Sequence, residues 1–180
     1  MDDRSQGKKK EKRKYPDKTT DSRDKLIVFS ADRKETFTNY IEKNHIGILH
    51  SPPSLGKSAL GEYFQDYYDG LYINLGGILC EGEEIKKEYF DAFWINKIGR
   101  TWDDISNCTE KIYLFVDEIQ FIYGNRAQYF WQRVKELWSN TGCNKNLWVL
   151  FLGTYHPTLT NNPIPAKFAS SLGLSDLLLT

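Results

Sequence analysis

A buried-type apolar run that passes through a very short loop into an amphipathic stretch is the strongest constraint on this chain. Residues 45–68 read HIGILHSPPSLGKSALGEYFQDYY. The segment from Ile46 to His50 has the length and apolar character of a buried strand. From Lys57 to Tyr68, the side chains of Leu60, Phe64, Tyr67 and Tyr68 recur at i, i+4, i+7 and i+8, which places them on one side of a helix. A strand feeding a helix through so short a connection begins a βα unit and points to an α/β architecture with a mostly parallel central sheet.

The connection also has a chemistry. Ser51-Pro52-Pro53-Ser54-Leu55-Gly56-Lys57-Ser58 matches the P-loop pattern G-x-x-x-x-G-K-[ST] everywhere except at its first position, where serine stands for glycine. Backbone N–H groups from Leu55 to Ser58, with Ala59 in the first helical turn, can point inward around a phosphate, and the helix N-terminus adds partial positive charge. Gly56 lets the backbone approach the anion with no Cβ in the way. Lys57 supplies an ammonium for the β- and γ-phosphates, and Ser58 a hydroxyl ligand for Mg²⁺. Pro52 and Pro53 have no N–H to give; they fix the exit from the strand and take over the turn-shaping role of the missing glycine.

Two further strands end in functional residue types. Residues 112–116, IYLFV, are followed by Asp117-Glu118. Such a continuous apolar strand is expected to be buried on both faces, and an acidic pair at its end is the Walker B arrangement. Asp117 would support Mg²⁺, and Glu118 would orient and polarise an attacking water. Residues 147–154, LWVLFLGT, form another apolar strand ending in a small residue and a hydroxyl. Thr154 is the candidate γ-phosphate or water sensor there, with Tyr155 and His156 as neighbouring alternatives. Asn144-Lys145-Asn146 contains part of a guanine-specifying N-K-x-D motif, but Leu147 occupies the aspartate position, so adenine is the default base.

The remaining pattern gives a short apolar segment at 26–29, a further strand at 71–75, and helices over 33–43, 83–98 and 126–140, with Gly70 closing the helix before the 71–75 strand. In the 83–98 helix, Ile85, Tyr89, Phe93 and Trp94 are available to one face. The abundant Tyr and Trp fall mostly at helix- and strand-periodic positions, which fits core packing better than base stacking. Cys80, Cys108 and Cys143 are odd in number and widely spaced, and His45, His50 and His156 do not cluster, which disfavours both a disulfide framework and a zinc site and fits an intracellular protein. No apolar run approaches the about 20 residues needed to span a bilayer.

The full chain balances 24 basic against 24 acidic residues, yet residues 1–25 hold ten Lys/Arg against six Asp/Glu. The run Lys8-Lys9-Lys10-Glu11-Lys12-Arg13-Lys14 makes residues 1–25 a disordered basic tail ahead of a core over 26–180. Such a tail is either a solvated appendage or a contact for nucleic acid or a nuclear import factor, leaving nucleus and cytoplasm both open.

Together these segments resemble the AAA+/STAND branch of P-loop NTPases, with a three-layer α/β fold and an added strand between the two Walker strands. SPPSLGKSALGEYFQDYY, IYLFVDEIQFIY and LWVLFLGTYHP are also similar to the NTPase module of Crinkler-type proteins of fungi and oomycetes. The resemblance covers residues 40–180 and implies ATP and Mg²⁺ as ligands. It also implies a helical lid and an effector domain after the NTPase core; no lid or second sensor is legible before Thr180. No arginine finger is marked out: Arg126, after the Walker B segment, and Arg133, on the following helix, could each serve in trans. The expected activity is Mg-dependent ATP binding with weak or partner-dependent hydrolysis; the alternative is a non-hydrolysing nucleotide-binding interaction module. A small-molecule phosphotransferase would also need an acceptor pocket and an arginine-bearing lid, and neither is legible.

Overall fold

The structure is a computed structural model that describes residues 31–78, 84–139, 145–155, 168 and 171–173. The basic tail, the 26–29 segment, Cys80, Cys143, Asn144, His156 and the 174–180 end lie outside the described residues. Among those described, no helix is long and apolar enough to cross a membrane.

Five strands form one sheet: β1 (Ile46–His50), β2 (Leu71–Asn74), β3 (Ile112–Asp117), β4 (Leu147–Gly153) and β5 (Ser171–Leu172). They lie in the order β2-β3-β4-β1-β5, and every pairing is parallel. Parallel neighbours need crossovers: α2 (Lys57–Tyr68) joins β1 to β2, α3 (Lys87–Ile98) and α4 (Trp102–Ser106) join β2 to β3, and α5 (Gln128–Ser139) joins β3 to β4, while α1 (Ala31–Lys43) precedes β1.

Strand alternation divides the core in two. Ile112, Leu114 and Val116 of β3, with Leu147, Val149 and Phe151 of β4, face the side covered by Phe90 and Trp94 of α3, Trp102 and Ile105 of α4, and Phe130, Trp131 and Val134 of α5. Tyr113 and Phe115, with Leu150 and Leu152, face Phe37 and Ile41 of α1 and Leu60 and Phe64 of α2. Both faces are therefore covered, and β3 is buried along its whole length, as its unbroken apolar sequence requires.

Several boundaries differ from the sequence reading for identifiable reasons. The helix after the loop is closed by Asp69, which takes the left-handed conformation (φ 52°) and donates its N–H to the Gln65 carbonyl. Gly70 follows it, donates its own N–H to the same carbonyl at 2.7 Å, and also serves clearance, since a Cβ there would meet the Tyr113 carbonyl at 2.7 Å. The 83–98 helix begins only at Lys87, and its buried face is carried by Phe90 and Trp94 while Tyr89 stands half exposed. Tyr67 likewise points to solvent while Leu60 and Phe64 are buried. Residues 124–127 form a 3₁₀ turn before α5. The short α4 is set by a capping box: Thr101 Oγ1 accepts from the Asp104 N–H at 3.1 Å, and Asp104 Oδ2 accepts from the Thr101 N–H at 2.9 Å.

Phe130 is the hub of the aromatic half of the core. It has no exposure and lies 4.7 Å from Trp102, 5.1 Å from Phe90 and 5.2 Å from Trp131, centroid to centroid. Replacing it with alanine takes one packed ring neighbour from each of them and leaves a cavity, so Phe130→Ala is expected to cost about 3–5 kcal/mol. Urea denaturation reads this as a lowered midpoint at constant m; a loss below about 1 kcal/mol would mean that the neighbouring rings close the gap.

Candidate functional site

Parallel strands send all their carboxyl ends to one edge of the sheet, and in open α/β sheets ligands bind outside that edge. Here β4 lies between β1 and β3. The register pairs His50 with Gly153 and Asn74 with Asp117, so the loop after β1, the Asp117-Glu118 pair and Thr154 emerge side by side. The Ser51 N–H donates to the Gly153 carbonyl at 3.2 Å, tying the loop to the end of β4.

The loop places its backbone irregularity at two residues. Ser54 (φ 64°) and Gly56 (φ 81°) are both left-handed, and Gly56 is the N-cap of α2 without any side-chain cap. Alternating left-handed and helical residues at a helix start turn N–H groups toward a common point, an anion-binding arrangement. Ser51 is buried, Pro52, Pro53, Ser54 and Ser58 are exposed, and Leu55, Gly56 and Ala59 are intermediate.

Lys57 lies back across this loop. Its ammonium donates to the Ser51 carbonyl at 2.8 Å and the Pro52 carbonyl at 3.0 Å, with only 6% of the residue exposed. Burial pulls this ammonium below the ordinary lysine range, and the Asp117 and Glu118 carboxylates oppose that shift. All three groups of the sequence reading, Lys57, Asp117 and Glu118, are thus within electrostatic reach of one another.

Asp117 is fully buried at the tip of β3. Its Oδ1 accepts from the Glu118 N–H at 2.8 Å, and its Oδ2 from the Tyr72 hydroxyl at 2.7 Å. Burial, followed by the bond to Asp117 and its charge, pushes the Tyr72 phenol well above its ordinary range. Glu118 adopts a left-handed conformation (φ 60°) that turns the chain into the 3₁₀ segment Ile119–Ile122. An exposed hydroxyl on Ser58 and a buried carboxylate on Asp117 are hard oxygen donors of the kind Mg²⁺ takes.

Thr154 is engaged through its backbone: its N–H donates to Gln120 Oε1 at 3.1 Å. The Gln120 amide group donates in turn to Glu118 Oε2. One carboxamide therefore connects the ends of β3 and β4. Gly153 is small because the Tyr123 hydroxyl, bonded at 2.8 Å to the Tyr155 carbonyl, would lie 2.9 Å from a Cβ there. Arg133 is not brought to this edge; it pairs with Asp103 and Glu136. Sequence reasoning missed Tyr72 and Gln120. Tyr72 looks like any strand aromatic; the DEIQ spacing, one residue between Glu118 and Gln120, is the signal that could have drawn attention to the second.

No family model and no curated protein matches the chain. Solved structures do. Against a point variant of Thermotoga maritima RuvB the TM-score is 0.50 at 16% identity, over 79% of this chain and 45% of the other. The chain has the P-loop α/β fold of that protein. Thermotoga maritima RuvB, described as a Holliday junction branch migration motor, aligns with TM-score 0.48 at 16% identity over 81% and 45% of the two chains. Cdc6p from Pyrobaculum aerophilum gives 0.47 at 13% over 88% and 47%. The chain thus spans less than half the length of these structures.

The Gln120 bridge makes a direct prediction. Gln120→Met keeps the length of the side chain and removes both hydrogen bonds. Exchange of the Thr154 amide should then speed up roughly five- to tenfold, the equivalent of a net bond of about 1 kcal/mol. Unchanged exchange by NMR would mean that another acceptor holds this amide.

Proposed function

We propose that the chain is a nucleotide-binding P-loop domain that takes Mg·ATP on the Ser51–Ala59 loop and hydrolyses it weakly or only with a partner. The observation that carries this reading is the convergence of Lys57, Asp117 and Glu118 beside the left-handed Ser54–Gly56 loop at the carboxyl edge of a parallel sheet. The AAA+ ATPase fold supports it. The finer assignment, to the NTPase module of Crinkler-type proteins, rests on the three sequence segments quoted above.

In this reading the N–H groups from Leu55 to Ala59 hold the phosphates, and the α2 N-terminus stabilises their charge. Lys57 exchanges its two bonds to the Ser51 and Pro52 carbonyls for phosphate oxygens, so the ion pair it gains is offset by two hydrogen bonds lost. Ser58 and Asp117 hold Mg²⁺. When bound, the cation neutralises charge developing on the β- and γ-phosphate oxygens. Glu118 accepts the proton of the attacking water and orients it; Thr154, one residue beyond β4, contributes a hydroxyl to the γ-phosphate or the water.

Glu118 is already occupied by the Gln120 amide, and that favours slow intrinsic turnover over fast. The same contact is what a non-hydrolysing nucleotide-sensing module would show, so binding and turnover must be read separately. Lys57→Ala should weaken Mg·ATP binding by roughly 10- to 100-fold, the loss of charge-assisted bonds worth about 1.5–3 kcal/mol. Glu118→Gln should bind Mg·ATP like the wild type and release phosphate about 10²–10⁴-fold more slowly in single turnover. Equal phosphate release by the two proteins would leave the binding module as the correct reading.

A further inference from the structure

The most constrained side chain at the sheet edge that the proposed function does not use is Tyr72. It sits on β2 opposite Phe115, two residues before the Asn74–Asp117 register pair. From there its ring reaches along the α2 face of the sheet and sets its hydroxyl 2.7 Å from Asp117 Oδ2. The approach is prepared on the facing helix. Gly61 of α2 is buried, and a Cβ there would meet Tyr72 Cε2 at 2.8 Å and Leu152 Cδ1 at 2.7 Å. That phenol therefore touches Asp117, one of the two residues that would hold the cation.

We infer that Tyr72 is a positioning residue for Mg²⁺, acting through Asp117; this rests on the proposed nucleotide site. The chemistry is that of an outer-shell donor. A carboxylate serving a cation must present one lone pair outward and keep its plane fixed, and its remaining acceptor sites need donors. Asp117 has two: the Glu118 N–H on Oδ1, which comes with the backbone, and the Tyr72 hydroxyl on Oδ2, which comes from another strand. Only the second can be removed without moving the chain. A phenol donates one proton and carries no charge, so it orients the carboxylate without competing as a cation would.

Tyr72→Phe removes the hydroxyl and keeps the ring that Gly61 accommodates. The experiment titrates Mg²⁺ into the full chain with ATP and reads ATP binding by calorimetry, beside a parallel measurement in EDTA. The Mg²⁺ concentration for half-maximal enhancement of binding is expected to rise roughly 10-fold or more, within the range for loss of an outer-shell partner. ATP affinity in EDTA should stay within about twofold, because no phosphate-binding group is touched. In an Asp117→Asn background, adding Tyr72→Phe should change the Mg²⁺ midpoint no further, which a general loss of fold would not reproduce.

An unchanged midpoint, a midpoint shifted to lower Mg²⁺, or full additivity with Asp117→Asn each overturns the inference while leaving nucleotide binding in place. Absence of ATP binding by the wild type, with or without Mg²⁺, removes the proposed function and this inference together, and is read in a different arm.

Discussion

A carboxylate with no exposure to water, Asp117, imposes more on its neighbours than any other group in this fold. Burying an isolated carboxylate costs several kcal/mol even after relaxation, so the fold must supply donors and positive charge around it. The Glu118 N–H, the next one along the chain, reaches Oδ1 at 2.8 Å. The Tyr72 hydroxyl reaches Oδ2 only because β2 pairs with β3 in the observed register and Gly61 leaves room for the ring. Lys57 adds charge from across the loop. A strand register and a helix glycine thus answer to one buried charge. Proteins retain such an arrangement where a charge has work to do, since an apolar residue would satisfy the packing at lower cost.

The strand order explains how that charge comes to face the loop. With β4 inserted between β1 and β3, the loop after β1 and the pair after β3 are separated by one strand, about 10 Å across two inter-strand spacings. Residues just past the middle strand fill that space: Gly153 gives its carbonyl to Ser51, and Thr154 gives its N–H to Gln120. The aromatic layer on the α3–α5 side makes this edge stiff. Trp131 donates to the Ile122 carbonyl at 2.6 Å and packs on Phe151 of β4, so the 3₁₀ turn after Glu118 is held by the same core that holds the sheet.

The parts of this structure legible in the sequence were those with a local cause. Apolar runs at β1, β3 and β4 could be read because burial on both faces keeps polar residues out of the strand until its carboxyl end, at His50 in β1 and Asp117 in β3. The loop could be read because Gly56, Lys57 and Ser58 stand at the spacing of the P-loop pattern. What could not be read depends on contacts distant in the chain. Gly70 is legible as a helix stop, but not as the clearance that the Tyr113 carbonyl requires. Tyr67 and Tyr89 fit the periodicity yet lie at the margin of their helices' buried stripes, and a tyrosine at a margin turns outward to hydrate its hydroxyl. The two residues of β5 are too few for any pattern. Tyr72 and Gln120 become notable only when β2 lies beside β3 and β4 beside that same strand.

The serine at the head of the loop shows how far a pattern can depart without changing the physics. Glycine is needed where φ is positive or where the backbone must come close to something. Among the described residues the positive φ values in the loop belong to Ser54 and Gly56, and Ser51 is not among them. Position 51 is buried as a continuation of β1, its N–H on Gly153 and its carbonyl on Lys57. Its side chain turns back to the Pro52 carbonyl at 3.4 Å, away from the groups that would meet a phosphate. The conformational demand usually met by a first glycine has moved to Ser54, directly after the two prolines. A left-handed serine is costly by about 1 kcal/mol or more, and that cost falls on the segment whose shape decides whether an anion fits. The departure at Ser51 therefore bears on how well the loop is pre-organised, and leaves the donors from Leu55 onward where a phosphate would need them.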